Sequence, residues 1–121
     1  MLKTVFICSR YASDNASTQM YHLQRAQWAC QLAIIRGYAP YAPHLYLPNF
    51  LDDKNPGERA QGLEIGMTFL EKCDEMWIYE LDGIYSDGMR QEIAKAKELQ
   101  KPIYMLVDGF ELERYEGKDG K

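Results

Sequence analysis

Cysteine is scarce in this 121-residue chain, and its copies stand far apart. Cys8, Cys30 and Cys73 are odd in number and share no close spacing. That argues against a disulfide framework and a thiolate metal site, and predicts free buried thiols in a reducing compartment. Histidine is scarcer still. Neither His22 nor His44 has a metal-ligating neighbour at a suitable spacing, so no metal and no other cofactor is expected. Basic residues nowhere form a block. The 14 Lys and Arg are interspersed with 18 Asp and Glu, for a net charge of −4. This argues against a duplex nucleic-acid partner. It leaves small nucleotides open, because a helix N-terminus binds phosphate without net positive charge. Long hydrophobic runs are missing too. The apolar run at residues 4–8 is too short for a secretion signal or a membrane span, which points to a cytoplasmic protein with no membrane partner. Two glycine motifs are also absent. Without GxGxxG there is no dinucleotide fingerprint, and without GxSxG there is no nucleophile elbow for a serine hydrolase.

What the chain does contain is a regular alternation. Hydrophobic residues make up 46% of it, enough to build one core in one domain spanning residues 1–121. Residues 4–8 (TVFIC) read as a strand buried on both faces. Residues 9–15 form a polar loop in which Ser13, Asp14 and Asn15 are candidate N-caps. Residues 16–36 carry a helical pattern, with Met20, Leu23, Cys30 and Ile34 as its apolar stripe and Gly37 as its stop. Residues 38–43 (YAPYAP) suit a proline-bearing edge strand. Residues 44–55 have no clear period and read as a binding loop. Asn55, Pro56 and Glu58 start a second helix, whose face is marked by Ala60, Leu63, Met67 and Leu70. Residues 76–79 are a third strand, residues 87–100 a third helix, and residues 102–107 a fourth strand. The tail at 108–121 is charged and expected to fray, apart from a short ordered piece near Phe110 and Leu112.

Strands and helices in this order predict a parallel sheet with helices on both faces. Right-handed crossovers give the strand order 2-1-3-4. The switch point then falls between the first and third strands, so residues 9–15 and 80–86 should meet over one pocket.

Candidate site residues follow from that geometry. On the third helix Met89, Ile93 and Ala96 form the inner stripe, and Glu92 lies about 60–70° from its centre. Glu92 should therefore stand beside the pocket; a solvated helix-flank glutamate is the alternative. Ser86 suits an N-cap and Asp87 complements the helix dipole. Gly88 lets a ligand approach the backbone. Arg10 can bind a phosphate or carboxylate, and is equally acceptable as a plain surface residue. His44 is a candidate pocket wall, and Tyr46 and Phe50 could stack on a base or bury against a neighbour. Exposed aromatics at Tyr38, Tyr41, Tyr46 and Phe50 suggest a homo-oligomer.

Three stretches together, VFICSRY at 5–11, YAPHLYLPNFLDD at 41–53 and CDEMWIY with SDGMRQEIAKAKELQKPIY at 73–79 and 86–104, resemble a nucleoside 2-deoxyribosyltransferase-like domain. The likeness is closest to uncharacterised bacterial or phage-encoded members and runs to about Val107. The resemblance implies a three-layer, Rossmann- or flavodoxin-like α/β sandwich with a mostly parallel sheet of four or five strands. It also implies a nucleoside or nucleotide as the small-molecule partner, with Glu92 as the nucleophile that attacks the anomeric carbon. Ser86, Gly88 and Met89 would face the sugar. Ser9, Arg10, Tyr11 and Asn15 would line the sugar or base side, with His44 in the variable wall. Family enzymes commonly carry an aspartate two residues before the motif glycine. Here that position is Ser86, and Asp87 is the candidate substitute. Three functions stay open: N-glycosidic transfer or hydrolysis, binding of a nucleotide or nucleotide-derived signal without turnover, and cleavage of NAD by the same glutamate.

Overall fold

The structure, a computed structural model, describes residues 1–79, 84–107 and 111–115. Its sheet is built from β1 (Lys3–Ser9), β2 (Tyr38–Tyr41), β3 (Glu75–Tyr79), β4 (Ile103–Val107) and β5 (Glu111–Arg114), in the order β2-β1-β3-β4-β5. The first four strands are parallel, and β5 runs antiparallel along β4. The expected order 2-1-3-4 is present, with one strand added at its edge. The helices are α1 (Ala16–Ile35), the short α2 (Pro43–Tyr46), α3 (Pro56–Lys72) and α4 (Asp87–Glu98).

The central strand β1 is buried on both faces, as an unbroken β-rich run should be. Val5 and Ile7, with Trp77 of β3 and Leu106 of β4, meet Ala29, Leu32 and Ala33 of α1. Phe6 and Cys8, with Met76 and Ile78, meet Leu70 of α3 and Met89, Ile93 and Ala96 of α4. The sheet thus has α1 on one face and α3 with α4 on the other. In β3 the register pairs Cys8 with Ile78 and Ser9 with Tyr79, so β1 and β3 end side by side.

Three expectations need correction. The stripe of α1 is not Met20, Leu23, Cys30 and Ile34. Met20 is 56% and Ile34 63% exposed, while His22, Ala26, Ala29, Leu32 and Ala33 are buried. Alanines let the helix lie close to the sheet, where Trp77 already fills the volume. On α3 Ala60 is exposed, and burial runs through Gly66 and Leu70 with Leu63 and Met67 half-buried. Residues 44–55 are not a plain loop: α2 begins with Pro43 at its first position, and a 3₁₀ turn follows at Leu47–Asn49. The short ordered piece expected in the tail near Leu112 is β5, residues 111–114. Leu112 packs against the α1-side core between charged neighbours, the pattern of an edge strand. Phe110 and residues 116–121 lie outside the described residues.

The expected caps form. Asn55 Oδ1 accepts from the Glu58 N–H at 3.0 Å, and Asn15 Oδ1 from the Thr18 N–H at 3.1 Å. Gly37 has φ +85°, the left-handed conformation that ends α1.

Candidate active site

The α4 helix begins where β3 ends, across the short connection that includes residues 84–86. Ser86 Oγ accepts from the Met89 N–H at 3.2 Å, which sets the first turn. From there the 3.6-residue period drives Met89, Ile93 and Ala96 into the sheet and carries Glu92 with them. Glu92 is only 5% exposed. The reading that places it at the pocket rather than on a solvated flank agrees with this burial.

The surroundings of Glu92 explain its chemistry. Cys8 lies beneath it at the carboxyl end of β1, and its thiol donates weakly to the Met89 carbonyl at 3.9 Å. Gly66 of α3 lies beside it: a Cβ there would stand 3.9 Å from Glu92 Oε2. Glu92 Oε1 is buried and has no hydrogen-bond partner among the described residues. Burial pushes the Glu92 carboxyl up to about 8, and a hydrogen bond from the Cys8 thiol works against that rise. The same contact, with burial as the larger cause, raises the Cys8 thiol.

The two loops at the switch point meet. Arg10 Nη2 donates to the Ile84 carbonyl at 2.8 Å, tying the end of β1 to the segment before α4. Residues 80–83 of the expected loop lie outside the described residues. Tyr11 stacks on His44 with ring centroids 5.0 Å apart and planes 17° from parallel. Burial lowers the His44 imidazole to about 4, against the pull of Asp53 and of a hydrogen bond to the Ser9 backbone. His44 is therefore neutral at physiological pH. One ring nitrogen donates to the Ser9 carbonyl, and the other is left as an acceptor.

Around these groups lies a cavity of about 580 Å³. Of the residues singled out in the sequence, Arg10, Tyr11, His44, Ser86, Asp87, Gly88, Met89 and Glu92 line it. Ser9, Asn15 and Tyr46 do not line it. Ser9 is buried behind the wall, Asn15 caps α1, and Tyr46 sits edge-on to Phe50 at 5.1 Å and to Tyr41 at 5.9 Å. Asp87 is exposed at the first position of α4.

Sequence reasoning missed the opposite wall. Asp53, Glu58 and Arg59 face the cavity with Leu47, Leu51 and Leu63. Arg59 Nε donates to the Asp53 carbonyl at 3.1 Å, and its Nη2 stands 3.5 Å from Asp53 Oδ2. Glu58 Oε1 accepts from the Asp52 N–H at 2.6 Å. The signal is the helix start at residues 55–58, whose cap chemistry alone does not mark it as a cavity wall. The amino ends of α3 and α4 both border the cavity, and both favour negative charge there. A wider depression of about 750 Å³, over residues 11–14 and 48–54, shares Tyr11, Asp53, Glu58 and Arg59 with the cavity. It is larger but more open, and it holds no buried ionisable group comparable to Glu92, so the smaller cavity is the reaction site candidate. Among the described residues no three of His, Cys, Asp and Glu are grouped to hold a metal ion, and no helix is long and apolar enough to cross a membrane.

Comparison with known proteins adds to this geometry. A family model described as a domain of unknown function, DUF7768, matches residues 3–106. No curated protein sequence matches the chain significantly. A 2-deoxyribosyltransferase of Bacillus psychrosaccharolyticus superposes with a TM-score of 0.66 at 16% identity, over 84% of this chain and 70% of that one. The CMP N-glycosidase BcmB of Clostridium botulinum superposes with a TM-score of 0.54 at 17% identity, over 85% and 70%. A 2-deoxyribosyltransferase of Leishmania mexicana gives 0.54 at 14% identity, over 93% and 79%. At these identities the likeness establishes a shared fold.

Proposed function

The chain belongs to the DUF7768 family, and we propose that it processes a nucleoside or nucleotide by transfer or hydrolysis at the N-glycosidic bond, with Glu92 as nucleophile. The observation that carries this reading is the buried Glu92 carboxyl with an unpartnered Oε1 at the end of a cavity of about 580 Å³. Such a group costs stability and has no packing role to justify it. The fold neighbours that act on nucleosides or CMP support the substrate class.

In the proposed reaction a Glu92 oxygen attacks the anomeric carbon while the C–N bond breaks. The base leaves with the bonding pair and takes a proton, from Asp87 at the cavity rim or from water. The resulting glycosyl ester is then opened by water or by a second base, which restores the carboxylate. Tyr11 and His44 offer a stacked aromatic wall to the base, and neutral His44 offers it an acceptor. Assembly with a second copy belongs to the same reading: of the aromatics expected to be exposed for it, Tyr46 and Phe50 are, whereas Tyr38 and Tyr41 are half-buried against Trp77 and Phe6.

Binding without turnover is the second reading. It is favoured by Ser86, which stands where family enzymes commonly have aspartate and whose Oγ is engaged as a cap. Incubation with nucleosides, nucleotides and NAD, scored for released base, separates the two. Release by the natural chain and its loss in Glu92→Ala supports the enzyme. A ligand that raises the melting temperature and is recovered intact supports the binding module and sinks the nucleophile.

A further inference from the structure

A buried carboxylate acts as a nucleophile only when ionised, and burial works against ionisation. The elements around Glu92 hold a feature that the proposed chemistry does not use. Tyr41 closes β2 directly opposite Phe6 in the register of the sheet. Its ring packs between Phe6, at 5.7 Å, and Phe69 of α3, at 4.5 Å and 18° from parallel. These contacts fix the ring on the sheet face that carries Cys8 and Glu92. Tyr41 is not among the residues lining the cavity. Its hydroxyl is buried and has no partner among the described residues. A buried donor and a buried acceptor, Tyr41 O–H and Glu92 Oε1, are thus both unsatisfied on one side of the sheet, where such atoms are nearly always paired. The two groups also feel each other's charge: the Tyr41 phenol is pushed up to about 12, by burial first, then by Tyr46 and by Glu92.

We propose that the Tyr41 hydroxyl is a positioning group for Glu92, donating to Oε1 when the carboxyl ionises, with the Cys8 thiol as the second donor. No bond to carbon changes in this step. Glu92 gives its proton to water in the cavity, and the carboxylate and the tyrosine hydroxyl, which are not bonded to each other in this structure, draw together while the tyrosine keeps its own proton. Gly66, which adds no side chain beside Glu92, leaves room for the carboxylate to settle. The remaining charged groups that line the cavity are Arg10 and Arg59, with Asp53 and Glu58 on the opposite wall and Asp87 at the start of α4, and His44 is neutral. Two positive groups against three negative ones leave no surplus of positive charge to favour the ion, so against the burial that opposes it the ionisation of Glu92 depends on hydrogen-bond donors such as the Cys8 thiol and, on this proposal, the Tyr41 hydroxyl.

This inference deepens the reading of Glu92 as nucleophile, and its test does not need turnover. The side-chain carboxyls of ¹³C-glutamate-labelled protein are titrated by NMR, with Glu92 assigned by its loss in Glu92→Gln. Tyr41→Phe keeps the ring packing and removes only the hydroxyl. The Glu92 midpoint is expected to rise by at least about half a pH unit in that variant, a threefold change in the ionisation equilibrium or more. An additional rise is expected in Cys8→Ala combined with Tyr41→Phe. Equal midpoints in the natural chain and Tyr41→Phe would overturn the proposal. If the variant does not fold, the Tyr41 Cζ signal of the natural chain decides: it must shift with the Glu92 midpoint, and a flat signal overturns the proposal. Base release by Glu92→Ala decides the nucleophile separately. Moved midpoints with an active Glu92→Ala would sink the nucleophile alone, and unmoved midpoints with an inactive one would sink the positioning role alone.

Discussion

The two faces of the sheet are built for different ends. Against α1, Val5, Ile7, Trp77 and Leu106 meet alanines and a leucine in a close apolar layer. Against α3 and α4, Phe6, Cys8, Met76 and Ile78 meet an equally apolar layer. Each side buries a carboxylate, but Glu75, on the face of Trp77, accepts from Trp77 Nε1 at 2.8 Å, whereas Glu92 Oε1 has no partner among the described residues. Both faces exclude water, so packing alone does not account for the difference. The α1 face is what a stable fold asks for. The α4 face accepts an unsatisfied carboxylate oxygen, which weakens the fold, and it does so where the ends of β1 and β3 and the start of α4 converge.

The comparison breaks first at Glu92. Glu92→Gln should cut base release by roughly 10³-fold or more while leaving the melting temperature at pH 6 unchanged or higher, since it removes a buried ionisable group. A variant that keeps turnover contradicts the division of labour between the faces.

Stability should also follow pH through the same residue. The Glu92 carboxyl is raised from 4.5 to about 8 in the folded chain, so between those values the folded state holds a proton that the unfolded state has lost. Stability therefore falls as pH rises from about 5 to 8, and the full penalty, on the order of 4–5 kcal/mol at most, applies above that window. Urea denaturation at a series of pH values should show this slope in the natural chain and its loss in Glu92→Gln.

On the other face, Trp77→Ala should cost about 3–5 kcal/mol in urea denaturation by opening a cavity against α1. It reaches turnover only through the fraction folded. The smallest effect belongs to the helix start: Ser86→Ala removes the cap on Met89 N–H and should cost about 1 kcal/mol in the same measurement.

The sequence made one face more legible than the other. On α4, large apolar residues mark the inner stripe, so Met89, Ile93 and Ala96 could be read off and Glu92 placed beside them. On α1 the buried stripe is His22, Ala26, Ala29 and Ala33, and alanine carries little hydrophobic weight. Met20 and Ile34 have the same 3/4 spacing and more apolar surface, so they outweighed it and pointed outward. Strand order was legible because alternation and handed crossovers leave few choices. β5 was legible only as a short ordered piece near Leu112, because its four residues are mostly charged and it pairs with β4 at the sheet edge. In the site, the α4 wall followed from one helix period. The wall of Asp53, Glu58 and Arg59 depends on where α3 begins in space, which no local period encodes. Asn15, which the resemblance implies at the site, is the helix cap that the loop pattern also predicts, and Tyr46, whose ring could stack on a base, packs among aromatics instead.

The central claim is that Glu92 becomes covalently bonded to a sugar. The direct measurement is acid-quenched turnover of a nucleoside or nucleotide that yields free base, followed by intact and peptide mass analysis. The account predicts a glycosyl adduct on the peptide carrying Glu92, absent in Glu92→Gln. Base release with no adduct, continuing undiminished in Glu92→Gln, would contradict it.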